Sequence, residues 1–299
     1  MEYWQLAQKQ SLPLKQKIRL SEVRIKQWYE YWQGRVYVAF SGGKDSTVLL
    51  HLVRSMYPKI PAVFSDTGLE YPEVRDFVKS VENVVWIKPK KTFREVIEQY
   101  GYPVVSKETS QKIYEARNTK SDKLRHRRLH GENNKYKSGR IPLKWLFLLE
   151  APFDISSRCC YWLKKLPFTS YEKKAGRKPY IGVMACDSHL RKQSYLRHQC
   201  NMYSSVKQQS RPLSVWLQDD IWNYLKLNDL ECSTIYDNGV KHTGCMFCMF
   251  GVHHDAEPNR FQRMKETHPK QWKYCIEKLG CGKVLDYVGE PYERRAYFL

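Results

Sequence analysis

The sequence predicts an α/β protein: a mostly parallel sheet with helices on both faces, a basic insertion and a C-terminal helical extension. Three observations carry this. Short β-branched and aromatic runs alternate with amphipathic stretches, the pattern of βαβ units. A glycine turn joins the first strand to the helix after it. The chain has 299 residues, 42% hydrophobic and 27% charged, which suits one large or two modest domains and excludes a disordered, collagen-like or fibrous chain. The longest apolar runs, 145–149 and 245–252, fall short of the ~18 residues a membrane span needs. The first ten residues contain no apolar stretch of the kind a secretory signal carries. A cytoplasmic protein with no membrane partner is expected.

Residues 14–33 have helical amphipathic spacing and close an N-terminal helical segment, 1–33. The run RVYVAF at 35–40 reads as a buried strand, broken by Ser41-Gly42-Gly43; a helix over 45–56 follows, with Asp45 and Ser46 suited to its first turn. A second strand is expected at 62–65, a helix at 72–81, a third strand at 84–87 and a helix at 93–100. Residues 106–145 then hold twelve Lys and Arg against four Asp and Glu, a local excess of +8, with Asn133, Asn134 and Gly139 as breakers. Regular structure resumes as a helix over 158–175, a strand at 180–184, a helix at 217–227 and a basic helix at 261–279. The expected organisation is a core domain over 34–250, with 106–145 as an insertion, and an extension over 251–299.

The net charge is +20. A field of that sign favours polyanions, whether nucleotide or nucleic acid. The nine cysteines are odd in number and argue against a disulfide framework in a reducing compartment. Cys159 and Cys160 are adjacent, and Cys245-x-x-Cys248 adds a second pair. Four thiolates of this kind suit an iron–sulfur cluster, with structural zinc or unliganded thiols as the alternatives; adjacent ligands fit a cubane better than a tetrahedral ion. Cys186, Cys200, Cys232, Cys275 and Cys281 read as small buried residues.

Ser41-Gly42-Gly43-Lys44-Asp45-Ser46 lies between predicted strand and predicted helix. The two glycines let the backbone turn tightly and aim N–H groups at an anion, and the helix N-terminus adds partial positive charge. Lys44 supplies a formal charge, Ser41 and Ser46 supply hydroxyls, and Asp45 suits Mg²⁺. This is not a Walker A loop, because GxxxxGK[ST] is absent.

The loop resembles the PP-loop of ATP pyrophosphatases and of the phosphoadenosine phosphosulfate (PAPS) reductase family. Other segments resemble further elements of that family: FSDTG at 64–68 with Glu70 and Tyr71-Pro72-Glu73 its second motif, GYPVVSK at 101–107 a further segment, CCYWLKKLP at 159–167 its Cys-Cys element, GVMACDS at 182–188 with Arg191 the element after the last core strand, RPL at 211–213 with Trp216 and 220–222 the next, and Gly244-Cys245-x-x-Cys248 the last. The resemblance spans about residues 20–250, in order. It implies a Rossmann-like, adenine nucleotide alpha hydrolase-like fold, Asp66 beside the nucleotide, Lys164 as the family's lysine after the cysteine pair, and Cys159, Cys160, Cys245 and Cys248 as ligands of a 4Fe–4S cluster.

The chain departs from the sulfonucleotide reductases of that family in three ways. Their C-terminal Glu-Cys-Gly-(Leu/Ile)-His element is missing, the nearest candidate nucleophile being Cys281. The PP-loop is intact, as suits a triphosphate. Met184 stands where the reductases tend to have Arg. The reading is therefore an enzyme that binds ATP and cleaves it to AMP and pyrophosphate while adenylating an acceptor for sulfur transfer. In this reading Lys44 and Mg²⁺ neutralise the leaving pyrophosphate, Asp45 and Asp66 hold the metal, and Lys164 and Arg191 lie over nucleotide or substrate. The acceptor is expected to be DNA or RNA, held by the basic insertion and the C-terminal basic helix, with Tyr114, Tyr136 and Trp145 as base-stacking candidates, and a sulfur- or electron-donor protein as a further partner. The alternatives are an APS or PAPS reductase and a non-catalytic nucleic-acid-binding module.

Overall fold

The fold is that of a computed structural model, which describes residues 2–132, 139–204, 206–240 and 243–294. Tyr136, Asn133 and Asn134 lie outside the described residues. The chain divides into two compact units. The first comprises Met1–Asp66, Glu70–Lys88 and Pro167–Thr243; the second comprises Thr67–Leu69, Pro89–Leu166 and Gly244–Leu299.

In chain order, the first unit opens with helices α1 (Tyr3–Gln10) and α2 (Leu14–Tyr31), strand β1 (Val36–Ala39), helix α3 (Lys44–Met56), strand β2 (Ala62–Ser65), helix α4 (Pro72–Ser80) and strand β3 (Val84–Ile87). The second unit contributes α5 (Phe93–Tyr100), β4 (Val104–Val105), α6 (Lys107–Asn118) and α7 (Asp122–His130). The chain returns to the first unit at Pro167, the second residue of α8 (Leu166–Ala175), and continues through β5 (Lys178–Ile181), α9 (His189–His198), β6 (Asn201–Met202), β7 (Gln209–Ser210) and α10 (Gln218–Leu227). It ends in the second with β8 (Met249–Phe250), α11 (Arg260–Thr267), α12 (Pro269–Lys273) and α13 (Cys281–Val288).

The first unit is the α/β layer that the alternation predicts. Its six-stranded sheet runs β3-β2-β1-β5-β7-β6, parallel throughout except for the β6–β7 pair. Val38 of β1 sits in register with Ala62 on one side and Tyr180 on the other. From β1 the chain builds outward through β2 to β3; β5 lies on β1's opposite flank. The order therefore reverses at β1, and crevices at such switch points, outside the carboxyl ends of the strands, are where ligands bind in open α/β sheets. The β1 and β2 strands are almost wholly buried, and with Val48, Leu49, Leu52 and Val53 of α3 they form the core.

Helix α2 turns Lys17, Ser21, Ile25 and Trp28 inward, the stripe its helical spacing requires. Lys17 and Ser21 are matched. The Lys17 ammonium meets the Asp220 carboxylate at 2.6 Å. The Ser21 hydroxyl donates to the Pro212 carbonyl and accepts from the Trp216 indole.

The second unit is built on a short extended stretch, Tyr102 to Val105. It pairs in parallel with Ile155 at Tyr102 and with β8 at Val104 and Val105. Neither pairing carries an alternation long enough to read as a strand.

Three boundaries differ from expectation. The strand expected at 180–184 runs Lys178–Ile181, because the chain leaves the sheet at Gly182, against the first turn of α3. The helix expected over 158–175 contains a π turn at Tyr161–Lys165. The helix expected over 261–279 breaks at His268, whose φ of −135° and ψ of 61° lie outside the helical region; Pro269 disfavours the α conformation in the residue before it.

Removing one member of a buried ion pair strands the other charge. Lys17→Ala should therefore lower the unfolding free energy by about 3–5 kcal/mol, read by urea denaturation. A loss below about 1 kcal/mol would show that the pair behaves as a surface contact.

Candidate functional site

The phosphate-loop candidate lies wholly in the first unit, at the carboxyl end of β1. Gly42 has φ of +70°, and a Cβ there would stand 2.7 Å from Val78 and 2.8 Å from Val74, so only glycine fits both the backbone and the space. Helix α3 starts at Lys44 with no side chain capping it, although its first turn leaves backbone donors in need of partners. The loop closes on itself: the Ser46 hydroxyl donates to the Gly43 carbonyl at 2.8 Å and accepts from the Ser41 backbone N–H at 3.2 Å. On the far side a Cβ on Gly182 would lie 3.0 Å from the Asp45 carbonyl oxygen. The close approach of strand end to helix turn holds the loop in place.

Lys44 is 2% exposed. Its ammonium donates to Asp45 Oδ1 at 2.8 Å and to Gln218 Oε1 at 2.7 Å, and it lies 5.8 Å from the Trp222 ring centre and 6.0 Å from that of Tyr236. The Gln218 amide donates to Asp187 Oδ1 at 3.1 Å, and the other Asp187 oxygen accepts from the Met184 N–H and from Arg191. Lys44, Asp45 and Arg191 are thus joined through one polar chain. Asp66, buried at the end of β2, accepts from Arg75 at 3.0 Å. Gln218 and Tyr236 are not readable as site residues, because their contacts with Lys44 join positions far apart in the chain; Asp187 lies in the quoted segment at 182–188 but, like Arg75, carries no role that residue type alone reveals.

The four cysteines lie in the second unit, together with Lys164. Residues 102–105 pair with Ile155, four residues before Cys159, and with Met249, the residue after Cys248. One extended stretch therefore brings the two cysteine pairs together, and Cys159, Cys160, Cys245 and Cys248 line a single pocket whose other walls are Leu69, Phe93, Pro103, Leu163, Lys164 and Phe247. Cys159 donates its thiol hydrogen to Cys160. That bond, with Lys107 and Lys164 nearby, outweighs burial and brings the Cys160 thiol down to about 6, while Cys159 is held protonated. Burial and the neighbouring Cys245 push Cys248 up to about 11. Lys107, at the start of α6, is a residue that spacing did not single out.

Among the described residues, no group of three or more His, Cys, Asp or Glu is gathered as a single metal ion requires. Four thiols around one apolar pocket, with Lys107 and Lys164 nearby to balance charge, fit an iron–sulfur cluster by ligand type.

Cys200, Cys275 and Cys281 are buried as expected, Cys232 is half-buried, and Cys186 is exposed instead of buried. Cys281 shares a hydrogen bond with Cys275. Trp145 is buried against Phe147 and His253, so it offers no open face to a base. Tyr114 is half-buried with the Arg158 guanidinium 5.8 Å from its ring centre.

The family model described as "Phosphoadenosine phosphosulfate reductase domain" matches residues 35–250. An uncharacterized protein of Methanocaldococcus jannaschii is 25% identical over 269 residues, 86% of this chain and 52% of that protein; the chain thus spans about half the length of this relative. An adenosine 5'-phosphosulfate reductase of Bacillus cereus is 24% identical over 231 residues, 75% of this chain and 77% of its own. Among solved structures, a PAPS reductase from Candida auris aligns with a TM-score of 0.45 at 14% identity, covering 82% of this chain and 96% of that one.

A methyl on Gly182 meets backbone and must push α3 away from β5. Gly182→Ala should weaken binding of inorganic pyrophosphate with Mg²⁺ about tenfold, in line with the ~1–3 kcal/mol of overpacking, while circular dichroism stays native. Unchanged affinity in titration calorimetry would show that this contact does not set the loop.

Proposed function

This chain belongs to the phosphoadenosine phosphosulfate reductase domain family, and from that premise we propose that it is a PP-loop enzyme that activates an acceptor with ATP. An acceptor oxygen attacks the α-phosphorus, the bond to the β-phosphate oxygen breaks, and pyrophosphate leaves. A sulfur nucleophile then displaces AMP from the adenylated acceptor. The observation that carries this reading is the unbroken Ser41-to-Ser46 turn at the switch point of the sheet, with a buried Lys44 beside it. Such a turn suits the two phosphates that leave, since backbone donors and a fixed cation stabilise charge as it develops.

In this reading Lys44 moves from Asp45 and Gln218 onto the leaving pyrophosphate. Asp45 and Asp66 would hold Mg²⁺, and Arg191 would meet the nucleotide. Cys159, Cys160, Cys245 and Cys248 would hold a 4Fe–4S cluster, with Lys107 and Lys164 offsetting its negative charge. The cluster would supply electrons or a site for the incoming sulfur. A nucleic-acid acceptor is supported by the net charge of +20 and by α7, which carries Lys123, Arg125, Arg127 and Arg128 and buries no side chain. The second reading, a sulfonucleotide reductase, is favoured by the name of the Bacillus cereus relative. Against it, Cys281, the candidate attacking thiol, is fully buried.

Anaerobically purified protein incubated with α-labelled ATP and Mg²⁺ should release AMP and pyrophosphate, faster with tRNA or DNA present. Lys44→Ala should slow release at least ~100-fold. No release, with sulfite formed from APS or PAPS, would overturn the proposal in favour of the reductase.

The same preparation should hold about four iron atoms per chain, and Cys160→Ser should lose them. One zinc and no iron would overturn the cluster assignment.

A further inference from the structure

The first turn of α3 is served by the protein itself. With no side-chain cap on the helix, the Lys44 backbone N–H donates to the Tyr236 hydroxyl at 2.8 Å. Tyr236 is in turn hydrogen-bonded to the Thr243 side chain. A Cβ built on Gly43 would stand 2.4 Å from the Thr243 hydroxyl oxygen and 3.1 Å from that of Tyr236. Both hydroxyls therefore lie directly on the turn, at the helix terminus where backbone donors receive phosphate oxygens. The Lys44 ammonium is likewise engaged, on Asp45 and Gln218. The Lys44 N–H and ammonium are both matched, and the match on the backbone is a neutral oxygen: burial pushes the Tyr236 phenol up to about 12, so it carries no charge at physiological pH.

We propose that Tyr236 is a gate on the phosphate loop: its hydroxyl occupies the Lys44 N–H that a phosphate oxygen takes, and the phosphate chain displaces it on binding. This rests on the nucleotide reading of the loop. The energetics favour exchange, since an N–H bond to an anionic oxygen is about twice as strong as one to a neutral oxygen. The geometry permits it as well. Tyr236 stands on a one-turn helix, Thr234–Asn238, closed by Gly239 with φ of +74°. Among the described residues its ring meets the edge of Trp222, at 5.5 Å between centres, and the Lys44 ammonium, at 6.0 Å from the ring centre; Trp222 is itself 42% exposed. The gate selects by charge. A neutral ligand gains nothing over the tyrosine, whereas a di- or triphosphate outcompetes it.

Removing the competitor should tighten binding. In titration calorimetry of the full chain with inorganic pyrophosphate and Mg²⁺, Tyr236→Phe should bind about 3- to 10-fold more tightly than wild type, the exchange of roughly one ordinary hydrogen bond. Thr243→Val should shift affinity the same way by a smaller factor, and serves if Tyr236→Phe unfolds. Lys44→Ala should bind at least ~10-fold more weakly. If wild-type binding depends on Lys44 but Tyr236→Phe binds equally or more weakly, the gate is overturned, and the hydroxyl is a bystander or a phosphate ligand. If Lys44→Ala binds as wild type does, the loop reading itself falls, and the gate with it.

Discussion

A helix that begins without a capping side chain, directly after a buried parallel strand, carries backbone donors that must be matched. That constraint governs the first unit. The strand β1 is central and buried, so its carboxyl end opens at the point where the sheet's order reverses. Gly42 and Gly43 let the chain turn there without side-chain bulk, and Gly182 lets β5 end against the same turn. Tyr236, Thr243, Gln218 and Asp187 gather around this turn, and each is explained by a donor or a cation that α3 presents. An anion is the natural ligand of such an arrangement because the helix terminus, Lys44 and the chain's overall charge share one sign.

The second unit solves a different problem with equally little regular structure. Two cysteine pairs far apart in the chain meet because residues 102–105 pair with the segments beside both. The pocket they line is apolar, which would make four thiolates costly, and Lys107 and Lys164 offset that cost at Cys160. Four thiols around an apolar pocket, with cations nearby, suit the proposed iron–sulfur cluster.

Much of the first unit was legible because its signals are local. A β-branched run, a pair of glycines and an apolar stripe at helical spacing locate β1, the turn and α3 to within one residue. The strand at 178–181 was displaced because its end is decided by packing against α3, not by its own residues. The helix expected over 261–279 reads as continuous because amphipathic spacing hides the effect of Pro269 on His268. The pairing of β4 with β8 involves two residues on each side, too few for any alternation. Tyr236 and Gln218 act on Lys44 across some 190 and 170 residues of sequence, and no periodicity reaches that far. The cysteine set was legible by residue type and spacing; the lysine at 107 that lowers Cys160 was not.

The central claim is that the turn after β1 grips the phosphates beyond the α-phosphate of a nucleotide. Comparing the affinities of ATP and AMP, each with Mg²⁺, tests it most directly. A loop built for the β- and γ-phosphates should hold ATP at least ~100-fold more tightly than AMP, the worth of about two charge-assisted hydrogen bonds, and Lys44→Ala should remove most of that difference. Equal affinity for the two nucleotides, undisturbed by Lys44→Ala, would contradict it.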